Sequence, residues 1–105
     1  MTSKAQEWDD RKAEQLRDAA YASIRGKCFV LTGRMWDFRQ NIEGRIQAVG
    51  GRTDSRVSFG VDYLVQADGE QGRRTTKVLT AERCGTTVIT ETQLKRALQG
   101  TATIQ

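Results

Sequence analysis

Apolar positions along this chain fall into groups whose spacing alternates between a helical period and short continuous runs. Over residues 3–24, Trp8, Leu16, Ala20 and Ile24 stand at multiples of four, with Ala5 and Ala13 nearby, which predicts one amphipathic helix. Ser3 and Gln6 have capping-box spacing at its start, and Arg25-Gly26 ends it. Lys27 to Thr32 encloses an unbroken apolar run, the pattern of a strand buried on both faces of a parallel sheet, and Gly33 stops it. Phe38, Ile42, Ile46 and Val49 then return to helical spacing up to Gly50-Gly51. Gly50 suits a left-handed cap, and Gly51 a close backbone approach. Gly44 inside that helix costs about 1 kcal/mol relative to Ala, so a tightly packed neighbour is expected there.

The second half repeats the alternation. Arg52-Thr53 opens a short strand, and Val61 to Val65 is a clear one. Ala67 to Gly72 has the composition of a loop. Thr75 to Cys84 reads as a helix with Val78, Leu79 and Ala81 as apolar contacts and Gly85 as its stop. Thr87-Val88-Ile89 is a third apolar strand, and Thr90 is a good N-cap for a last helix carrying Leu94, Ala97 and Leu98. The order β-α-β-β-α-β-α predicts an α/β fold: a four-stranded parallel sheet flanked by helices on both faces, with an additional N-terminal helix. The expected organisation is an amphipathic helix or connector over 1–25, one domain over 26–99 and a flexible tail over 100–105 that frays.

Charge and composition narrow the chemistry. The 105 residues suffice for one domain and carry a net charge of +4. Residues 1–26 are neutral, so the whole excess sits on the α/β core, most of it as Arg, which suits bidentate phosphate contacts. The count of His is 0, which removes His bases, Ser-His and Cys-His pairs and His metal ligands. Cys28 and Cys84 stand far apart with no C-x-x-C, so no metal site is expected; two buried free thiols in a reducing interior are expected over a lone cystine. There is no G-x-G-x-x-G turn for a dinucleotide, and no cofactor is expected. No apolar run approaches a membrane span and none has the form of a signal peptide, so no membrane partner is expected. These features fit a small basic binding module rather than an enzyme, with the bacterial cytoplasm (nucleoid) or the nucleus as the expected location.

Several segments, taken in order, resemble a known family. Gly26 to Gly33 is similar to the opening strand of a BRCT domain, Gly50-Gly51 to its double glycine, and Val61 to Val65 to its third strand. Lys77 to Ala81, Gly85 and Val88-Ile89-Thr90 are similar to its second helix and last strand, so the resemblance covers residues 26–99. Many BRCT domains, paired phosphopeptide readers above all, carry Trp where Gln93 stands here. Gln93-Leu94 is similar instead to the variant in bacterial NAD-dependent DNA ligases and in the large subunit of the eukaryotic clamp loader. That resemblance implies a non-catalytic DNA-binding module of replication or repair, recognising a 5′-phosphate at a DNA end or nick. The alternative is a protein-protein or phosphopeptide interaction module, in a DNA ligase or another repair enzyme.

A candidate site follows from the same layout. Ligands of open α/β sheets gather beyond the carboxyl ends of the strands, where helix N-termini favour anions. Thr32 offers a hydroxyl there, Gly33 an unobstructed N–H and Lys77 a point charge, and the trio matches the BRCT phosphate pocket. Arg39 is close to an extra Arg of DNA-end-binding relatives. Arg34, Arg73 and Arg74 are candidate backbone-phosphate contacts in flanking loops. Trp36 reads either as a cover over the core or as a stacking platform for a terminal base. Trp8 reads as a helix-to-domain anchor, and Phe29 and Tyr63 as core. The expected partners are DNA with a 5′-phosphate end, or a phosphorylated or other repair or replication protein.

Overall fold

The apolar run after Lys27 forms the centre of the molecule. The computed structural model describes residues 4–104, with side chains from Asp10 onward. The expected Ser3–Gln6 capping box and the Trp8 anchor rest on side chains outside the described ones. Strand β1 (Cys28–Thr32) lies between β2 (Arg52–Thr53) and β3 (Tyr63–Gln66), and β4 (Thr87–Thr90) completes a four-stranded sheet of order β2-β1-β3-β4. All pairings are parallel, with Thr32 opposite Gln66 and Gln66 opposite Thr90. Helices α1 (Lys4–Ala22), α2 (Arg39–Ala48), α3 (Thr76–Cys84) and α4 (Glu91–Leu98) complete the fold, with a short 3-10 turn at Asp68–Glu70.

Alternation along β1 divides the core in two, since successive strand side chains point to opposite faces. Phe29 and Leu31 pack with Ile42 and Ile46 of α2 and with Leu94, Ala97 and Leu98 of α4. Cys28 and Val30 pack on the other face with Val78 and Ala81 of α3. Both sheet faces are therefore covered, which is why β1 needs no polar alternation. Phe29 is fully buried and stacks on Tyr63 with ring centroids 5.2 Å apart. Asp62 Oδ2 accepts the Cys28 N–H at 2.8 Å and so satisfies the first donor of β1.

Local chemistry sets the element ends. The Thr75 hydroxyl accepts the Val78 N–H at the start of α3, and Gly85 caps its end. At α4 the Thr90 hydroxyl accepts the Gln93 N–H at 3.0 Å while Gln93 Oε1 accepts the Thr90 N–H at 2.8 Å, a closed capping box. Gly50 takes φ +92° after α2. A Cβ on Gly51 would lie 2.6 Å from Ile46 Cγ2, the close approach the double glycine suggests.

Some expectations are corrected. A Cβ on Gly44 would meet nothing within 4 Å, so this helical glycine has no tight neighbour. Phe38 has the spacing of the α2 core stripe but stands at the helix N-cap, ahead of the first turn, and is 75% exposed. In α1, Ala20 is fully buried but Leu16 is 45% exposed and Ala13 is exposed, because the helix meets the domain only near its end. Ile24, just beyond it, is fully buried. The tail does not simply fray after Gly100. Ile104 joins the α2–α4 core, and its N–H donates to Ser23 Oγ at 3.1 Å. Both cysteines are free thiols, but only Cys28 is buried; Cys84 is half-buried. Burial raises the Cys28 thiol pKa, opposed by the nearby Arg52 charge.

Candidate functional site

The turn after β1 is shaped by one glycine. Gly33 has φ +90°, a region that side-chain-bearing residues seldom adopt. A Cβ there would lie 2.7 Å from the Ala67 Cβ and 2.7 Å from Glu70 Oε2. The Ala67 N–H donates to the Thr32 carbonyl at 3.0 Å, so the turns after β1 and β3 are pressed together. Their meeting brings the Glu70 carboxylate beside Gly33. An anion approaching this turn from that side meets a like charge.

Beyond Gly33 the chain curls into a cleft of about 440 Å³ lined by Gly33, Arg34, Met35, Trp36, Phe38 and Arg39, with Asp37 on its wall. Asp37 Oδ1 accepts the Phe38 N–H at 2.7 Å and an Asn41 side-chain N–H at 3.2 Å, which ties the loop to the start of α2. Met35 and Trp36 are half-buried against the α2–α4 core. Lys95 Nζ lies 5.7 Å from the Trp36 ring centroid, a cation–π contact of about 0.5–1 kcal/mol at a partly exposed site. Phe38 projects three-quarters exposed beside them.

Four of the eight candidate residues, Gly33, Arg34, Trp36 and Arg39, thus share one cleft. Thr32 is half-buried at the end of β1. Lys77, in the first turn of α3, lines a different hollow with Ser55, Arg56, Val57, Thr76 and Thr80. Arg74 forms a two-bond ion pair with Glu82 at 2.9 and 3.1 Å, and both side chains are exposed, so the pair contributes at most about 1 kcal/mol. Arg73 is exposed, and its carbonyl accepts an N–H from the buried Gln66 side chain at 3.0 Å.

The N-terminus of α4 has its own acceptors. Besides the capping box, Asp68 accepts from the Thr92 N–H at 3.3 Å and from the Thr92 hydroxyl at 2.5 Å, and the buried Glu91 carboxylate accepts the Asp68 N–H at 2.9 Å. Gln93, where many BRCT domains carry Trp, here serves the helix cap. Sequence reasoning missed Phe38 and Glu70 as parts of the site. The available signal for Phe38 was Asp37 beside it, a residue suited to a helix entrance; Glu70 offered none, because only the pairing of β1 with β3 brings it to Gly33. Among the described residues no group of three or more His, Cys, Asp or Glu side chains could hold a metal, and no helix is long and apolar enough to cross a membrane.

Comparison with known proteins agrees with this geometry. The family model described as BRCA1 C Terminus (BRCT) domain matches residues 24–98. The chain is 36% identical over 89 residues to a DNA ligase of Desulforudis audaxviator, covering 84% of this chain and 13% of the ligase. It is 32% identical over 91 residues to a DNA ligase of Neisseria gonorrhoeae, covering 86% of this chain and 11% of that protein. The chain therefore spans only a small part of the length of these relatives. Among solved structures, S. pombe Rad4 BRCT3,4 is similar with a TM-score of 0.67 at 16% identity, covering 82% of this chain and 47% of that one. Rad4 BRCT1,2 in complex with an Mdb1 phosphopeptide gives a TM-score of 0.62 at 20% identity, covering 79% and 43% respectively. At such identities the structural likeness speaks for the fold alone. These findings match the DNA-ligase side of the expected resemblance and give no support to the clamp-loader side.

Proposed function

The chain belongs to the BRCT family, and on that premise we propose that it is a non-catalytic interaction module of DNA replication or repair that docks a phosphorylated protein segment at the Gly33–Arg39 cleft. One observation carries this reading: Phe38 is 75% exposed in a cleft that also holds Trp36, Arg34 and Arg39. Aromatic side chains and Arg gathered in a concave site are the composition of protein-binding hot spots. The two guanidinium groups suit a phosphate by bidentate hydrogen bonding, and the aromatic pair suits an apolar side chain next to it. The Rad4 BRCT1,2 structures, which share the fold, hold phosphopeptides of Mdb1 and Crb2, and this supports the class of ligand.

A second reading is favoured by the DNA-ligase relatives. In it Thr32, Gly33, Lys77 and Arg39 hold a 5′-phosphate at a DNA end, with Arg34, Arg73 and Arg74 on backbone phosphates and Trp36 under a base. The Glu70 carboxylate beside Gly33 favours the protein reading, because it sets a like charge next to the β1 turn.

Anisotropy titrations separate the two. The probes are a labelled degenerate phosphoserine peptide library, its unphosphorylated counterpart, and duplex DNA with 5′-phosphate or 5′-hydroxyl ends, each at two salt concentrations. The protein reading expects preference for the phosphorylated library, lost in Phe38→Ala and Arg39→Gln. The DNA reading expects a 5′-phosphate preference that falls steeply with salt and disappears in Lys77→Ala. Equal binding of phosphorylated and unphosphorylated peptides would overturn the first, and equal binding of both DNA ends the second.

A further inference from the structure

The described side chains of α1 reach the domain only in its last turns. From Asp10 to Ala19 every one is exposed, and Ala20 is the one fully buried side chain among them. Ile24 is buried too, but it lies beyond the helix end at Ala22 and so anchors the chain rather than the helix. A helix with so little buried face is marginal by itself, because nucleation is costly and most helical stability comes from packing. The fold of α1 therefore depends on further contacts.

Residues 99–104 supply them. After α4 the chain turns at Gly100, with φ +75°, whose N–H donates to the Ala97 carbonyl at 3.1 Å. The Thr101 N–H and hydroxyl both donate to the Arg96 carbonyl, at 2.9 and 3.0 Å, which fixes the turn. The chain passes close over α1 at this point: a Cβ on Gly100 would lie 2.7 Å from Arg17 Cγ, 3.3 Å from its Cβ and 3.4 Å from its Cα. The contact thus reaches the body of the helix, not the free end of a flexible side chain. Farther on, the Ile104 N–H donates to Ser23 Oγ at 3.1 Å, that hydroxyl donates to the Ala20 carbonyl at 2.6 Å, and the Ile104 side chain enters the α2–α4 core. The segment is pinned at both ends, by Gly100 against Arg17 and by Ile104 against Ser23.

We propose that residues 99–104 form a strap whose closure over Arg17–Ser23 keeps α1 folded, so that helix and strap order and release together as one unit. Closed, α1 is a rigid arm of about 28 Å, nineteen residues at about 1.5 Å each. Open, the same segment is a flexible tether. The core beneath retains Phe29, Leu31, Ile42, Ile46 and Leu94 without the strap, which makes opening a local event rather than a global one. Arg17, Ser23, Gly100 and Ile104 all lie outside residues 24–98, the part the BRCT family model matches. The strap stands whether or not the cleft binds peptide.

Amide hydrogen exchange, followed by NMR on the full chain, tests this. Ile104→Ala is expected to speed exchange at Tyr21, Ala22 and Ser23 about tenfold or more, the scale of a buried aliphatic truncation, while amides of β1 and β3 keep their protection. Far-ultraviolet circular dichroism loses helical signal in the same variant. Ser23→Ala, a milder change, speeds exchange at the Ile104 amide and in α1 alike. Thr103→Ala, at an exposed position between the two pins, changes neither. Faster exchange at the tail with α1 unchanged overturns the proposal, because the strap would then be a passenger. Equal acceleration throughout β1–β4 overturns it too, since the tail would then only stabilise the domain as a whole. If Ile104→Ala does not fold, Ser23→Ala decides by the same two criteria.

Discussion

One methyl group added to either of two glycines, one within α2 and one just after it, should act in opposite directions. A Cβ on Gly51 would sit 2.6 Å from Ile46 Cγ2, 2.9 Å from Ile24 Cγ2 and 3.2 Å from the Ile46 carbonyl, all in buried, close-packed surroundings. Gly51→Ala should therefore lose about 1–3 kcal/mol to overpacking. Gly44 sits exposed in α2 with nothing within 4 Å of an added Cβ. Gly44→Ala should gain about 1 kcal/mol from helix propensity alone. Urea midpoints of the two variants check the pair, and a loss at Gly44 would contradict the open space seen there. The close approach at Gly51 was legible from the double glycine. The free space at Gly44 was not, because helical periodicity says which face a residue occupies but not whether anything covers it. Phe38 shows the same limit: four residues before Ile42 it has the right period, yet it precedes the helix whose face it would share.

At the scale of elements, the start of α4 was readable from Thr90 and its spacing to Gln93. Thr90→Ala should cost about 1 kcal/mol, since it leaves the Gln93 N–H without its acceptor. Gln93→Ala should cost less, because it removes only the reciprocal bond to the Thr90 N–H. Chemical denaturation gives the ranking, and hydrogen exchange at the Gln93 amide locates the loss. The Asp68–Thr92 and Asp68–Glu91 bonds joining the β3 turn to this helix could not be anticipated. They depend on Gln66 pairing beside Thr90, a register set by the burial of whole strands rather than by the residues that bond.

At the scale of the molecule, the C-terminal tail meets the turn after α1. Ser23 Oγ donates to the Ala20 carbonyl at 2.6 Å and accepts the Ile104 N–H at 3.1 Å, while the Ile104 side chain enters the core at 7% exposure. Ile104→Ala should cost about 2 kcal/mol, the lower end for a buried aliphatic truncation, whereas the neighbouring exposed Thr103→Ala should be nearly neutral. Differential scanning calorimetry distinguishes the two, and equal melting temperatures would mean that the tail is not part of the core. The sequence by itself determined the elements, their order and the parallel sheet, because hydrophobic period and helix caps are local properties that each segment carries alone. Its candidate residues at 33–39 also came together, since neighbours along one loop cannot separate far. Only the tertiary structure decided that Glu70 lies beside Gly33, that Asp68 bonds Thr92 and that Ile104 returns to the core. Each of these joins residues remote along the chain, and packing of the complete fold, not the chemistry of either partner, brings them together.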